Sequence, residues 1–349
     1  MFTRSPSQKQ IKEILEISTK DLSGRSMTRA MEGEKEDPMV YLVNYENSEG
    51  FAILAANTDI PDPIIAVTEK GNISSSFYLD DCCDKNFADF MKGMLMAYFD
   101  SPVEETSATR SSSSTLYNIS PEFPNWWGQG APFNNYCPIE DNLTCPVGCV
   151  PLAVAMSLCH YKRTSHWLSV YGNNHDCTLM QNYYYHSHDS LDFSSSLIDS
   201  VAHYAYDMAL QLNTTFHNDG SSATLDEAAI YLHSISIYNA YRHLDFDLDY
   251  VIEMLPQHKP VAMNGFNNVV FAHGHCWIID GIHQTYDSDG DISTMLHCNW
   301  GSYGLANGYY APRTFSPRSG PVYKDYTYDR SDTYTLSHNY NCYYRTLTY

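Results

Sequence analysis

An α+β fold in two unequal units is expected from three observations. A leading stretch alternates short β-rich runs with one helical run. A low-complexity linker follows it. Beyond the linker, helical patterns come first and strand patterns gather after Pro260.

In the leading unit, Gln8 to Thr19 carries Ile11, Ile14, Leu15 and Ile17 at spacings that predict an amphipathic helix. Met39–Tyr45 and Phe51–Ala56 flank the polar turn Glu46–Gly50 and predict an antiparallel hairpin. Ile64–Val67 predicts a third strand, closed by Glu69-Lys70-Gly71-Asn72. Phe87, Phe90, Met91, Met94, Leu95 and Tyr98 return to helical spacing. Together these predict a small α+β unit with a core of its own. Ser101 to Thr115 has almost no apolar residue and reads as a linker, so the boundary is set near residue 115, dividing 1–115 from 116–349.

The second unit is organised around Cys145-Pro146-Val147-Gly148-Cys149-Val150-Pro151. This segment reads as a turn that delivers a cysteine to a helix start, with the helix running from Leu152 to Tyr161. Gly148 frees the backbone for a tight approach, and Pro151 suits a first helical turn because its missing N–H leaves no bond unmade. A thiol at that end meets the positive end of the helix dipole, which favours thiolate, and the free N–H groups there suit an oxyanion. Asn173 to Ser196, polar and rich in Tyr and His, reads as loop. Leu197–Met208, Leu225–Ile235 and Phe246–Leu255 read as helices, with an N-cap within Gly220–Thr224 for the second. Val261–Met263, Cys276–Gly281 and Thr294–Gly301 read as strands. The Asp287–Asp291 run lacks the distal Glu of a calcium loop and reads as a hairpin turn.

Composition bounds the function. The net charge of −21 argues against nucleic acid or an anionic membrane surface as partner. No apolar run is long enough to span a bilayer, and no signal peptide is visible after Met1. The cysteines form no CxxC pair or other metal-ligand spacing. A Cys137–Cys145 disulfide across a loop is one option, but pairing cannot be read from the sequence.

A thiolate protease needs a nucleophile at a helix start, an imidazole to carry the proton, and a group to orient that imidazole. In the papain plan His and Asn follow the cysteine by about 130–150 residues, on strands. Here His275 lies 126 residues and Asn299 lies 150 residues after Cys149, each beside a strand run. Gln129 precedes the helix, where a side-chain amide suits an oxyanion hole.

These segments resemble the streptopain family of secreted bacterial cysteine proteases, of the papain-like clan. Gly148-Cys149-Val150 and Ala153 match its Gly-Cys-Val-Ala-Thr-Ala, and His273-Gly274-His275-Cys276-Trp277-Ile278-Ile279-Asp280-Gly281 resembles its Gly-Gly-His-Ala-Phe-Val-Ile-Asp-Gly. His297-Cys298-Asn299-Trp300-Gly301-Ser302-Tyr303-Gly304 is similar to His-Val-Asn-Trp-Gly-Trp-Gly-Gly. Trp127-Gly128-Gln129-Gly130-Ala131-Pro132-Phe133-Asn134 is similar to Trp-x-Gln-x-x-Pro-Tyr-Asn. Similarity reaches the leading unit at Gly50–Thr58, so that it covers most of residues 10–310.

The resemblance implies a papain-like catalytic domain, part helical and part antiparallel β, preceded by an α+β inhibitory propeptide, and the polar, Ser-rich linker predicts a cut between about Val103 and Ser120. It implies Cys149 as nucleophile, His275 as base and acid, and Gln129 with the Cys149 N–H at the oxyanion hole. Trp300 would shield the imidazole and Asn299 orient it. Protein or peptide substrates, the chain's own propeptide as inhibitor, a secreted or cell-surface location and no metal or organic cofactor are implied as well. Departures from the pattern stand at Pro151-Leu152, Met156, His273 and Ser302-Tyr303. His273 is expected at the rim and His297 as a packing or surface residue. The Tyr-rich tail from Tyr310 to Tyr349 is expected to supply solvated turns and edges. A binding-only homologue and a papain-fold acyl transferase are the alternative readings.

Overall fold

The structure, a computed structural model, describes residues 9–23, 37–57, 63–79, 85–100, 116–123, 126–161, 167–181, 194–237, 241–243, 246–267, 274–286, 290, 292–315 and 340–346. The linker 101–115, His273 and the tail segment 316–339 lie outside them.

The leading unit contains β1 (Ile11–Ile17), α1 (Thr19–Ser23), β2 (Val40–Tyr45), β3 (Phe51–Ala55), β4 (Ile64–Thr68) and α2 (Lys85–Asp100). The next part contains β5 (Asn118–Ile119), β6 (Ile139–Glu140), β7 (Leu143–Thr144), α3 (Cys149–Tyr161), β8 (Trp167–Val170) and β9 (Asn173–Asp176). After these come the helices α4 (Cys177–Gln181), α5 (Ser195–Gln211) and α6 (Leu225–Ser234), then β10 (Tyr241–His243) and α7 (Leu248–Met254). The chain ends in strands β11 (Val261–Asn267), β12 (Gly274–Tyr286), β13 (Ile292–Asn299), β14 (Gly308–Tyr310) and β15 (Tyr340–Thr346). The mixed α+β class is as expected.

The expected helix at Gln8–Thr19 is instead β1, paired antiparallel with β2 from Ile11↔Tyr45 to Ile17↔Val40. A short run of Ile and charged residues satisfies both periods, and three of its four apolar residues are β-branched. The partner strand decides. Ile17 is buried, whereas Ile11 and Ile14 stay 57% and 55% exposed, so no helical apolar face is covered. The expected hairpin forms as β2 and β3, and β4 adds to it. At its turn Gly50 has φ 99°, and a Cβ there would lie 2.3 Å from the Thr68 carbonyl oxygen. Only glycine allows that approach.

The leading unit does not keep a core to itself. β4 pairs with β14 (Thr68↔Gly308, Val67↔Tyr309, Ala66↔Tyr310), so one eleven-stranded sheet runs β1-β2-β3-β4-β14-β13-β12-β11-β15-β10, with β5 against β12. Phe87, Phe90, Met91 and Met94 of α2 share one buried cluster with Trp277, Trp300 and Phe315. A second cluster, on the α3 side, holds Val150, Leu152, Met156, Tyr204, Met208, Cys276 and Ile278. Strand β12 divides its side chains between the two at period two: Trp277 and Ile279 go to the first, Cys276 and Ile278 to the second.

Helices α3, α5 and α6 lie where the pattern predicts. Thr224 caps α6 in a reciprocal capping box: its Oγ1 accepts from Glu227 N at 3.2 Å, and its own N–H donates to Glu227 Oε2 at 2.9 Å. The expected loop after Asn173 is in part β9 and α4. β9 carries no apolar periodicity because His175, not a hydrophobe, turns inward, held at 2.9 Å by Asp207. The tail expectation also changes. Tyr310 is fully buried, and β15 lies between β11 and β10 rather than at an edge. β12 and β13 pair antiparallel, with Tyr286 opposite Ile292; of the run 287–291 expected as a turn, all but residue 290 lies outside the described residues.

Candidate active site

Cys149 opens α3, and the chain enters it through Gly148 at φ 101°. A Cβ on Gly148 would lie 3.1 Å from the Ser221 carbonyl oxygen and 3.3 Å from Pro151 Cδ, so the turn is closed to other residues on two counts. The Gly148 carbonyl accepts from Leu152 N at 3.1 Å, which continues the helix ladder back to the turn. The Cys149 thiol is half-buried, while Cys137, Cys145, Cys159, Cys177, Cys276 and Cys298 are buried. Burial pushes the Cys137 thiol up to about 12, and pushes those of Cys145 and Cys298 up as well. A hydrogen bond with Cys177, then burial, raises that of Cys159. A thiol held so far from ionisation is a poor nucleophile at neutral pH.

The Gln129 loop lies beside this helix start. The Gln129 carbonyl accepts from Val147 N at 2.9 Å, two residues before the cysteine. On its other side Gly128 bridges to Ser302, and Tyr303 N donates to the Trp127 carbonyl at 3.0 Å. The turn after Asn299 also reaches α3, since a Cβ on Gly301 would lie 2.8 Å from Leu152 Cδ2. Segments separated by more than a hundred residues in sequence thus converge on the head of α3.

His275 sits at the start of β12 and is 2% exposed. Its Nε2 lies 2.9 Å from the Trp300 carbonyl oxygen. A carbonyl only accepts, so Nε2 carries the proton in this arrangement. The ring is boxed by aromatics: Phe87 edge-on at 5.5 Å, Trp300 at 5.9 Å and Phe90 at 6.0 Å between centroids. Phe87 and Phe90 come from α2, so the leading unit itself covers the imidazole. Phe90 also packs on Trp277 at 5.3 Å and on Trp300 at 5.9 Å.

Asn299 ends β13, fully buried, opposite Ile278. Its Oδ1 accepts from Gly301 N at 3.1 Å and so shapes the turn that follows Trp300. Trp300 is buried with its backbone N–H donating to Asn307 Oδ1 at 2.9 Å, and its ring lies 4.8 Å from that of Trp277.

Sequence reasoning missed three features. Phe87 and Phe90 looked like core residues of an independent helix, and nothing local distinguishes them. Tyr303 stood out only as a departure from a pattern. His297, expected as packing or surface, is a buried partner of Asp280, with Nδ1 2.6 Å from Oδ1. Burial pushes its pKa down, but the Asp280 carboxylate outweighs that and, with Glu69 of the leading unit 3.7 Å from Nε2, holds it up at about 9. The Asp280 carboxylate also accepts from Phe123 N at 3.0 Å. Among the described residues no group of three or more His, Cys, Asp or Glu is arranged to hold a metal ion, and no helix is long and apolar enough to cross a membrane.

Residues 2–91 match the Spi protease inhibitor family, and residues 127–310 match the Peptidase C10 family. Thiol protease/hemagglutinin PrtT of Porphyromonas gingivalis is 23% identical over 363 residues, covering 91% of this chain and 39% of PrtT. The chain thus spans about two fifths of that relative's length. A solved fragment of Prevotella intermedia prointerpain A superposes with a TM-score of 0.60 at 18% identity, over 90% of this chain and 97% of that one, a likeness of fold. The C10 match takes in more than half of the sequence and contains the Gln129 loop, the head of α3 and the strands bearing His275 and Asn299. The chain belongs to the Peptidase C10 family.

Proposed function

We propose that this chain is the latent form of an exported cysteine endopeptidase that hydrolyses protein or peptide substrates and is inhibited by its own residues 1–115. The reading is carried by the packing of α2 on the His275 imidazole, together with a half-buried cysteine at the head of α3. In the cleavage reaction the Cys149 sulfur attacks the scissile carbonyl carbon, and the carbonyl electrons move to oxygen. That oxyanion takes hydrogen bonds from the Cys149 N–H and the Gln129 side-chain amide. His275, having taken the Cys149 thiol proton as the sulfur attacks, gives a proton to the departing amine as the C–N bond breaks, leaving a thioester. Water then adds, with His275 taking its proton, and the C–S bond breaks to release the acid. Asn299, through the turn it caps at Gly301, and Trp300, through its carbonyl on His275 and its ring, keep the imidazole in place.

In the latent chain Nε2 of His275 is committed to the Trp300 carbonyl under two phenylalanines, so substrate meets α2 instead of the base. Maturation requires a cut that lets α2 leave. Segment 116–123 is tied to the second unit: β5 pairs with β12, Tyr117 N donates to Gln284 Oε1 at 3.1 Å, and Gln284 N donates to the Tyr117 carbonyl at 3.0 Å. Glu122 Oε1 and Oε2 hold His258 at 2.7 Å and His160 at 3.1 Å. The cut therefore falls before Leu116, narrower than the span to Ser120 expected from sequence. Purified full-length protein, followed by mass spectrometry, is expected to lose its first unit at a bond within 101–115 and to gain peptidase activity. Cys149→Ala is expected to stay intact when incubated alone. Processing of that variant at the wild-type rate, without added protease, refutes self-activation. Hydrolysis outpacing amine incorporation on the same peptide separates a peptidase from an acyl transferase.

A further inference from the structure

Tyr303 occupies a position that its backbone reserves for glycine. Its φ is 57°, in the left-handed region, where an ordinary side chain costs on the order of 1 kcal/mol. Such a residue persists only when its surroundings hold it, and here the contacts converge on one loop. The N–H donates to the Trp127 carbonyl at 3.0 Å, and the hydroxyl donates to the Ala131 carbonyl at 3.2 Å. Between these two anchors the ring lies on the loop backbone. A Cβ on Gly128 would come within 2.3 Å of Tyr303 Cζ, and one on Gly130 within 2.6 Å of the hydroxyl. The side chain therefore spans the loop from Trp127 to Ala131, and the residue in the middle of that span is Gln129.

The other side of the loop is held as well. The Gln129 carbonyl accepts from Val147 N, and the turn bearing Tyr303 is itself seated on α3 where Gly301 meets Leu152. We infer that Tyr303 is a positioning residue: it straps the Gln129 loop down so that the Gln129 amide stays opposite the Cys149 N–H. This inference rests on the protease reading above. A donor in an oxyanion hole works only within a few tenths of an ångström of its place, so a loosened strap should slow the chemical step more than it weakens substrate binding.

Tyr303→Gly is the variant to use, because it removes the ring while relieving the left-handed backbone, and Tyr303→Phe keeps the ring. In the full-length chain, hydrogen exchange at the Gly128–Ala131 amides is expected to rise at least about tenfold in Tyr303→Gly. In the processed enzyme, kcat is expected to fall about 10- to 100-fold with KM changed by less than about threefold. Inhibition by a peptide aldehyde, whose thiol adduct places an oxygen in the oxyanion site, should weaken by a similar factor. Alkylation of Cys149 by iodoacetamide, which builds no oxyanion, should change by less than about twofold, and Tyr303→Phe, which keeps the ring over Gly128 but loses the bond to Ala131, should lie between wild type and Tyr303→Gly in exchange and kcat. Unchanged exchange, an unchanged kcat, unchanged aldehyde inhibition, or a parallel loss of alkylation each overturns the inference. A processed wild type that cleaves nothing overturns the protease reading and this inference with it. A wild type that cleaves no better than Tyr303→Gly overturns this inference alone.

Discussion

Removing the Phe90 ring tests whether α2 is what keeps the protein latent. Phe90 is 1% exposed and its ring lies on three residues of the second unit: His275, Trp277 and Trp300. Truncating a buried phenylalanine to alanine costs about 3–5 kcal/mol, the lost transfer energy plus the cavity left behind. Part of that loss falls on contacts across the two units, because the ring faces both α2 and the β12–β13 strands. If only half of it does, about 2 kcal/mol is taken from the closed state, which raises the population with α2 lifted some thirtyfold at 1.4 kcal/mol per decade. The assay is the lag before full-length protein processes itself, read by fluorogenic peptide hydrolysis at several protein concentrations. Phe90→Ala should shorten the lag by at least about tenfold. Phe51→Ala, which deletes an equally buried ring from β3, is the control for general loosening of the leading unit. A lag unchanged in Phe90→Ala, or shortened equally by Phe51→Ala, refutes the idea that the aromatic cap on His275 sets latency.

Two further outcomes are expected. His275→Ala should remove at least about three orders of magnitude of peptidase turnover, whereas His273→Gly should change it by less than about tenfold. The reverse pattern would mean that the motif is misaligned by two residues. The buried His297 makes stability depend on alkaline pH. Its folded pKa of about 9 is raised above the ordinary 6.5, so its stabilising contribution is complete below about pH 6.5 and is lost as pH rises through 9. That shift corresponds to about 3 kcal/mol, and thermal midpoints recorded from pH 6 to 10 should fall across this window in the wild type and much less in His297→Gln. Equal curves for the two proteins would exclude the Asp280–His297 pair as the cause.

Much of this chain could be read without a structure because its signals are local. Gly148 before a cysteine, Pro151 in a first turn and an unbroken apolar run specify α3. The Thr224–Glu227 spacing specifies the start of α6 through bonds made within one turn. Period-two apolar runs around short polar turns specify the β2–β3 and β12–β13 hairpins. The order Gln129, Cys149, His275, Asn299 also survives in linear form, since each residue sits in a short recognisable segment.

What the sequence could not decide was which distant surfaces meet. Ile11, Ile14, Leu15 and Ile17 suit a helix as well as a strand, and it took β2 alongside to choose the strand. Phe87 and Phe90 carry the same helical spacing whether they fill a core of their own or cover His275. Their role depends on β4 pairing with β14, a contact between residues some 240 positions apart. Tyr303 reads as a loosened motif until its ring is found over Gly128 and Gly130. His297 reads as one polar residue on a strand until the β12–β13 register sets it beside Asp280. Local backbone preference is written residue by residue, but burial and pairing are properties of two segments at once, and only the tertiary fold brings the second segment into place.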